Sequence, residues 1–223
     1  MTDMNKLLGQ LLGSGAAGGF AGGLAGGLAS SLLTSKSGRK LGKSALKVGG
    51  VAAVGALAYT AYKRYSDNQN AGTAPAATPP PVAEITPAPA GSAFMPAIEN
   101  QAANEALGLT LIRAMIAAAR SDGRLDAQES QAIFQRIEAL GLDAESQNIL
   151  VQEMGHPADV DAIVNSATCP EVAAEIYIAS LLAIEVDSAA ERAYLSMLAA
   201  RLQLPPGLVS ELDAQVEAQK NAV

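Results

Sequence analysis

The sequence predicts an all-α protein, on three observations. From about Ala97 onward, apolar residues recur at helical spacing. β-Branched runs are missing. With three Phe, five Tyr and no Trp, any core must be built from Leu, Ile, Val, Met and Ala, which suits close-packed helices. Third, short polar residues followed three positions later by Glu mark helix starts at Asp126, Thr168 and Ser188.

The 223-residue chain changes character near residue 70. Residues 1–66 carry eight basic side chains against one acid, Asp3, whereas the remainder carries seven basic and twenty-one acidic ones. The expected division is a glycine-rich membrane-anchoring region over 1–65, a Pro/Ala-rich linker over 66–96 and an acidic helical domain over 97–223.

From Leu7 to Ser35 there is no charge, and a four-residue repeat places Phe20, Leu24, Leu28 and Leu32 along one side of a helix. Gly18, Gly22, Gly26 and Ser30 form a smooth strip beside them. Each Gly costs about 1 kcal/mol relative to Ala in a water-exposed helix. In lipid the backbone must satisfy itself, and small residues four apart let helices approach closely, which suits self-association. A flexible low-complexity tail is the competing account. No cleavage context for a secretory signal stands out near the N-terminus.

A second uncharged segment, Val48 to Tyr62, is flanked by Lys43 and Lys47 on one side and Lys63 and Arg64 on the other. Extended back to Ser44, it rises about 28 Å as a helix, just enough to cross a hydrocarbon core. Tyr59, Tyr62 and Tyr65 sit where an interfacial aromatic belt would lie. Residues 7–35 and 44–62 are thus the two expected contacts with a lipid bilayer, and the alternative for the second is a surface-lying segment. Five cations between them (Lys36, Arg39, Lys40, Lys43, Lys47) place the 36–47 loop in the cytoplasm by charge bias. Full spanning by 44–62 would put the acidic domain outside, and shallow insertion would keep it inside.

Residues 66–96 are proline-rich without helical periodicity, and predict an extended, semi-rigid spacer. Beyond it seven helices are expected, with apolar stripes in order. The stripes are Leu107/Leu111/Met115; Ile133/Phe134/Ile137/Leu140; Ile149/Leu150/Met154; Val160/Ile163/Val164; Ile176 to Ile184; Tyr194/Leu195/Leu198/Leu202; and Leu208/Leu212/Val216. The fifth, from Pro170, is apolar almost all round, which marks it as the central buried helix. The signatures D-A-Q-E at 126–129 and S-A-A-E at 188–191 each follow an apolar helix, and each leads to an L-x-L ending at Leu142 or Leu204. That internal repeat predicts a pseudo-symmetric core.

One cysteine, Cys169, excludes an internal disulfide framework, and one histidine, His156, removes most His-based metal and catalytic schemes. His156 lies in G-H-P and reads as a loop or cap residue. Cys169 opens a helix without a nearby His in sequence and reads as a structural thiol. No nucleophile elbow, phosphate loop or H-E-x-x-H is present, so no enzyme is expected. Nucleic acid is not an expected partner of a domain this acidic. The concentrated carboxylates are Asp122, Asp126, Glu129, Glu185, Asp187 and Glu191, all near turns. Helix capping accounts for several of them; converging oxygens for a divalent cation are the alternative.

At D-G-R-L-D-A-Q-E (122–129), entered from M-I-A-A-A-R-S, and at I-E-V-D-S-A-A-E-R-A-Y-L (184–195), the chain resembles TerB-like domains of tellurite-resistance proteins. Over its length, including L-L-G-S-G-A-A-G-G and G-R-K-L-G-K-S-A-L-K, it resembles the bacterial inner-membrane YebE-like family of unknown function. The resemblance implies paired helical hairpins over residues 97–220, a link to stress responses, and an acidic, sometimes metal-binding surface. Its metal positions fall on Asp122, Asp126 and Glu129, then Asp187 and Glu191; the second copy has Ser188 in place of the glycine.

The expected function is therefore a membrane-anchored, non-enzymatic interaction module of the bacterial inner membrane, whose acidic domain binds a protein partner. Divalent-metal binding at the acidic turn, and membrane remodelling by the glycine repeat, are the alternatives. Deleting residues 1–65 is expected to release a folded, soluble domain.

Overall fold

The computed structural model describes residues 50–70, 85–96, 100–121, 144–184, 186 and 188–221. Seven α-helices account for most of them, with no strand among the described residues: α1 (Gly50–Asn70), α2 (Gln101–Ala119), α3 (Ala144–Gly155), α4 (Val160–Asn165), α5 (Pro170–Leu182), α6 (Ala189–Arg201) and α7 (Pro206–Asn221). The expected helix over Ile133–Leu140 and the D-A-Q-E copy of the repeat lie outside the described residues.

Helix α5 is the axis of the molecule. Every residue from Ala173 to Leu182 is buried, because α2, α1, α7 and α6 all pack on it. A helix with so little polar surface has no face to give to water, as its sequence predicts. The expected stripes supply the core: Leu111, Leu150, Ile176, Ile178, Leu182, Leu198 and Leu208 are fully buried. Ile112 and Ile116 are buried as well, so α2 is covered on more sides than its predicted stripe. Over Ala102–Ala119, α2 is long and apolar enough to cross a membrane, the one such helix among the described residues, and over half of that stretch is buried inside the protein.

The largest difference from expectation is α1. Val51, Val54, Ala56, Leu57, Ala58 and Ala61 are buried within the same core as α5 and α7. The helix runs on through residue 65, where the anchoring region was expected to end. Segment 44–62 therefore spends its apolar face on protein over its described part, Gly50 onward. The tyrosines assigned to a membrane belt also have protein neighbours. Tyr59 and Tyr62 set their edges against Phe94 at centroid distances of 5.5 and 5.4 Å. Tyr65 lies against Gly207 at the start of α7, where even a methyl group would meet its ring at 3.0 Å.

Phe94 belongs to the segment expected to be a spacer. Over its last part, residues 85–96, that segment is instead a strap folded onto α1, with Ile85, Ala88, Phe94 and Met95 buried. The Thr86 amide donates to Thr60 Oγ1 (3.0 Å), and Thr60 in turn donates to the Ala56 carbonyl (2.7 Å). A tight turn returns the strap: Gly91, at φ +77°, donates to the Met95 carbonyl (2.9 Å). Glycine adopts that left-handed conformation without the clash a side chain would bring. Prolines thus shape this strap without keeping it extended.

Of the three predicted capping boxes, one forms among the described residues, one does not, and the one at Asp126 lies outside them. Ser188 and Glu191 form a complete capping box at α6. At α5 the expected Thr168 box does not form: Cys169 takes the N-cap with no side-chain hydrogen bond, and Pro170 stands at the first helical position. Proline's fixed φ sets the helix start one residue later than the box requires, leaving Glu171 at the wrong position to reach back.

Candidate functional site

Within the apolar wall of α5 stands one carboxyl group. Glu175 is fully buried, at 0% exposure, and neither of its oxygens accepts a hydrogen bond from the described protein. It points toward α1 at Gly55. A β-carbon there would lie 2.9 Å from Glu175 Oε1 and 2.3 Å from the carbonyl oxygen of Phe94. Helix, strap and carboxyl therefore converge on one α-carbon, and only glycine leaves room for both oxygens. The Phe94 carbonyl cannot retreat easily, because its own ring is held between Tyr59 and Tyr62.

An ionised carboxylate is poorly accommodated in such a place. Burial, with a smaller contribution from the negative charge of Glu171 one turn earlier, holds the Glu175 carboxyl well above the ordinary glutamate range. A neutral carboxyl also has an O–H to donate, and the Phe94 carbonyl presents an acceptor at the same α-carbon. On α7, which packs on both α1 and α5, Gln215 is likewise fully buried with neither amide end hydrogen-bonded to the described protein. Two neighbouring helices, α5 and α7, thus each bury a polar side chain without a hydrogen-bond partner among the described residues.

A second carboxylate joins α5 to α7. Tyr177 Oη donates to Asp213 Oδ1 at 2.9 Å. Burial raises the Asp213 carboxyl, the tyrosine's hydrogen bond opposes that, and Glu217 adds a further upward push. Burial and the adjacent Asp213 charge both drive the Tyr177 phenol upward.

Of the expected metal ligands, Asp122, Asp126, Glu129 and Asp187 lie outside the described residues, as does Glu185. Glu191 is described and buried, and it closes the capping box: its Oε2 accepts from the Ser188 amide (2.9 Å) while its own amide donates to Ser188 Oγ (3.1 Å). No group of three or more His, Cys, Asp or Glu side chains converges among the described residues. Burial pushes the Cys169 thiol up, away from the thiolate a nucleophile requires. His156 is exposed between α3 and α4, and its carbonyl accepts from Arg120 Nη1 at 2.8 Å. That guanidinium also takes the Met154 carbonyl (3.1 Å), so Arg120 closes the C-terminal end of α3.

Glu175 was not singled out in the sequence, although a signal existed. Past Glu171 in the first turn, it is the one acid in P-E-V-A-A-E-I-Y-I-A-S-L-L, a run with apolar residues on every face. An acid there has no solvent side to choose.

Residues 18–216 match the family described as "Protein of unknown function (DUF533)". The chain belongs to that family. The DUF533 match starts ahead of α1 and ends within α7, so cover, strap and central helix fall inside one family unit. Over 113 residues the chain is also 26% identical to an uncharacterized protein in the ampR 5′ region of Yersinia enterocolitica. That alignment covers 51% of this chain and 81% of the relative. No solved structure matches.

Proposed function

We propose that this DUF533 protein is a membrane-anchored, non-enzymatic interaction module of the bacterial inner membrane, with a helical domain that binds a protein partner. The finer kinship, with YebE-like proteins and with TerB-like domains, belongs to the same proposal, as does a role in envelope or metal stress. The observation that carries it is the uncharged, small-residue repeat at 7–35 followed by the basic loop at 36–47, ahead of a strongly acidic remainder. Such a repeat suits close helix contacts in lipid, and the cations suit anionic headgroups. Because α1 is packed in the core, residues 7–35 carry the anchoring, and contact through 44–62 requires α1 to leave its seat. Membrane fractionation tests this. Full-length protein should remain with membranes through high-salt and carbonate washes, and deletion of residues 1–49 should release it. Full-length protein that washes free under those conditions would sink the proposal.

A further inference from the structure

The buried carboxyl lies at the joint between α1, the strap and α5. We propose that docking of α1 and the 85–96 strap is proton-linked through Glu175: the neutral carboxyl seated beneath Gly55 is the docked state, and loss of its proton loosens the cover.

Three observations carry this. Glu175 is fully buried, with no partner for a negative charge among the described residues. What covers it comes from another part of the chain: α1, which packs on α5, α7 and α2, and the strap that folds onto α1. At Gly55 the Glu175 carboxyl and the Phe94 carbonyl both approach the place a β-carbon would take, at 2.9 and 2.3 Å, so the polar atom that the cover brings to this spot is an acceptor and not a donor, which suits a neutral acid and not an ionised one.

Among the described residues, no cation is shown compensating a charge on Glu175. The strap 85–96 has no ionisable side chain. On α1 the ionisable groups, Tyr59, Tyr62, Lys63, Arg64, Tyr65 and Asp67, all follow Gly55; the nearest cation, Lys63, is eight residues on, about 12 Å along the axis, and exposed. On α2, Arg113 is engaged by both oxygens of Glu153 at 2.8 Å, and Glu105 is an acid. On α6, Glu191 is held in its capping box, burial pushes the Tyr194 phenol up to about 12, so it stays neutral, and Arg192 and Arg201 are exposed. On α7, Glu211, Asp213 and Glu217 are acidic, and the helix's one cation, Lys220, stands in its last turn, five residues beyond the buried Gln215. Glu171, on α5 itself, is the charged group that acts on Glu175, and it disfavours ionisation.

The sign follows from linkage. With α1 docked, Glu175 keeps its proton to a higher pH than when α1 has lifted and water reaches it. Docking is therefore favoured fully below the ordinary glutamate range and weakens as pH rises toward the raised value. Lifting then releases one proton, so the opening constant rises by up to about tenfold per pH unit across that window.

Hydrogen exchange of the full chain reads this directly on peptides covering residues 51–62, from about pH 5 to about pH 9, after correction for base-catalysed intrinsic exchange. The opening constant of the wild type should climb with pH, while E175Q should give a flat profile and D213N should keep the wild-type slope. An unchanged slope in E175Q, or a slope abolished by D213N instead, would overturn the proposal. Should E175Q fail to fold, the wild type decides by infrared titration with carboxyl-labelled glutamate. One neutral-acid band should persist after the other glutamates have ionised; all glutamates ionising together would overturn it.

Discussion

The first turn of α6 and the middle of α5 each bury a glutamate, and the two are held in opposite ways. Glu191 exchanges hydrogen bonds with Ser188, three residues away, so its carboxylate is satisfied by its own helix. Glu175 finds nothing on α5 and depends on what lies over it: Gly55 of α1 and the Phe94 carbonyl of the strap. A local partner makes a buried acid a structural device that does not depend on a distant part of the chain. A distant cover makes it sensitive to whether the cover is in place.

The strongest way to break this comparison is to remove the cover. Deleting residues 1–65 takes away Val51, Val54 and Leu57, all buried, at roughly 1.5–3 kcal/mol each. A loss of about 5 kcal/mol or more rivals the stability of a whole domain, so chemical denaturation should find that chain largely unfolded or molten. The chain lacking only 1–49 should keep a cooperative transition. Equal midpoints for the two deletions would show that α1 is dispensable.

Next comes Gly55→Ala. Its methyl group overlaps a backbone oxygen tied into the strap, and should cost about 1–3 kcal/mol in urea unfolding. An unchanged midpoint would mean that the strap moves freely.

Glu175→Met removes the titrating group while keeping much of its volume. It should stabilise the protein by about 1–2 kcal/mol at neutral pH and little at acid pH, where the wild-type carboxyl is neutral in both states. A variant less stable than wild type at neutral pH would show that the carboxyl has a partner after all.

The smallest effects belong to the other acid. Ser188→Ala should cost about 1 kcal/mol of thermal stability, the usual value of an N-cap. Glu191→Gln, which retains an acceptor for the Ser188 amide, should cost only a few tenths.

Much of the domain was legible because its information is local. Leu111, Met115, Ile176, Leu182, Leu198 and Leu212 all occupy the buried positions that helical spacing assigns them. The Ser188 box needed four residues to recognise, and the shifted start at Thr168 needed only the weight of Pro170 over its neighbour. Helix α1 was different. V-A-A-V-G-A-L-A-Y-T-A-Y satisfies a lipid environment and a protein core alike, since both reward removal of apolar surface from water. The choice is made by α5 and α7, more than a hundred residues further along the chain. The strap misled for a related reason. Proline excludes regular helix, but it does not prevent Ile85, Phe94 and Met95 from finding a face to cover. Of the candidate site, the acid was visible and its cover was not.

The aromatic contacts of α1 also make it an optical reporter. The chain has no tryptophan and five tyrosines, and three of them, Tyr59, Tyr62 and Tyr65, are on this one helix. Two are packed edge-on to Phe94 and the third lies against the start of α7, so their rings sit in fixed asymmetric surroundings only while the helix is seated. Lifting α1 should erase most of the near-ultraviolet circular dichroism while leaving the far-ultraviolet helical signal nearly intact. The natural protein thus carries its own label for the one segment whose position matters most, and needs no probe attached.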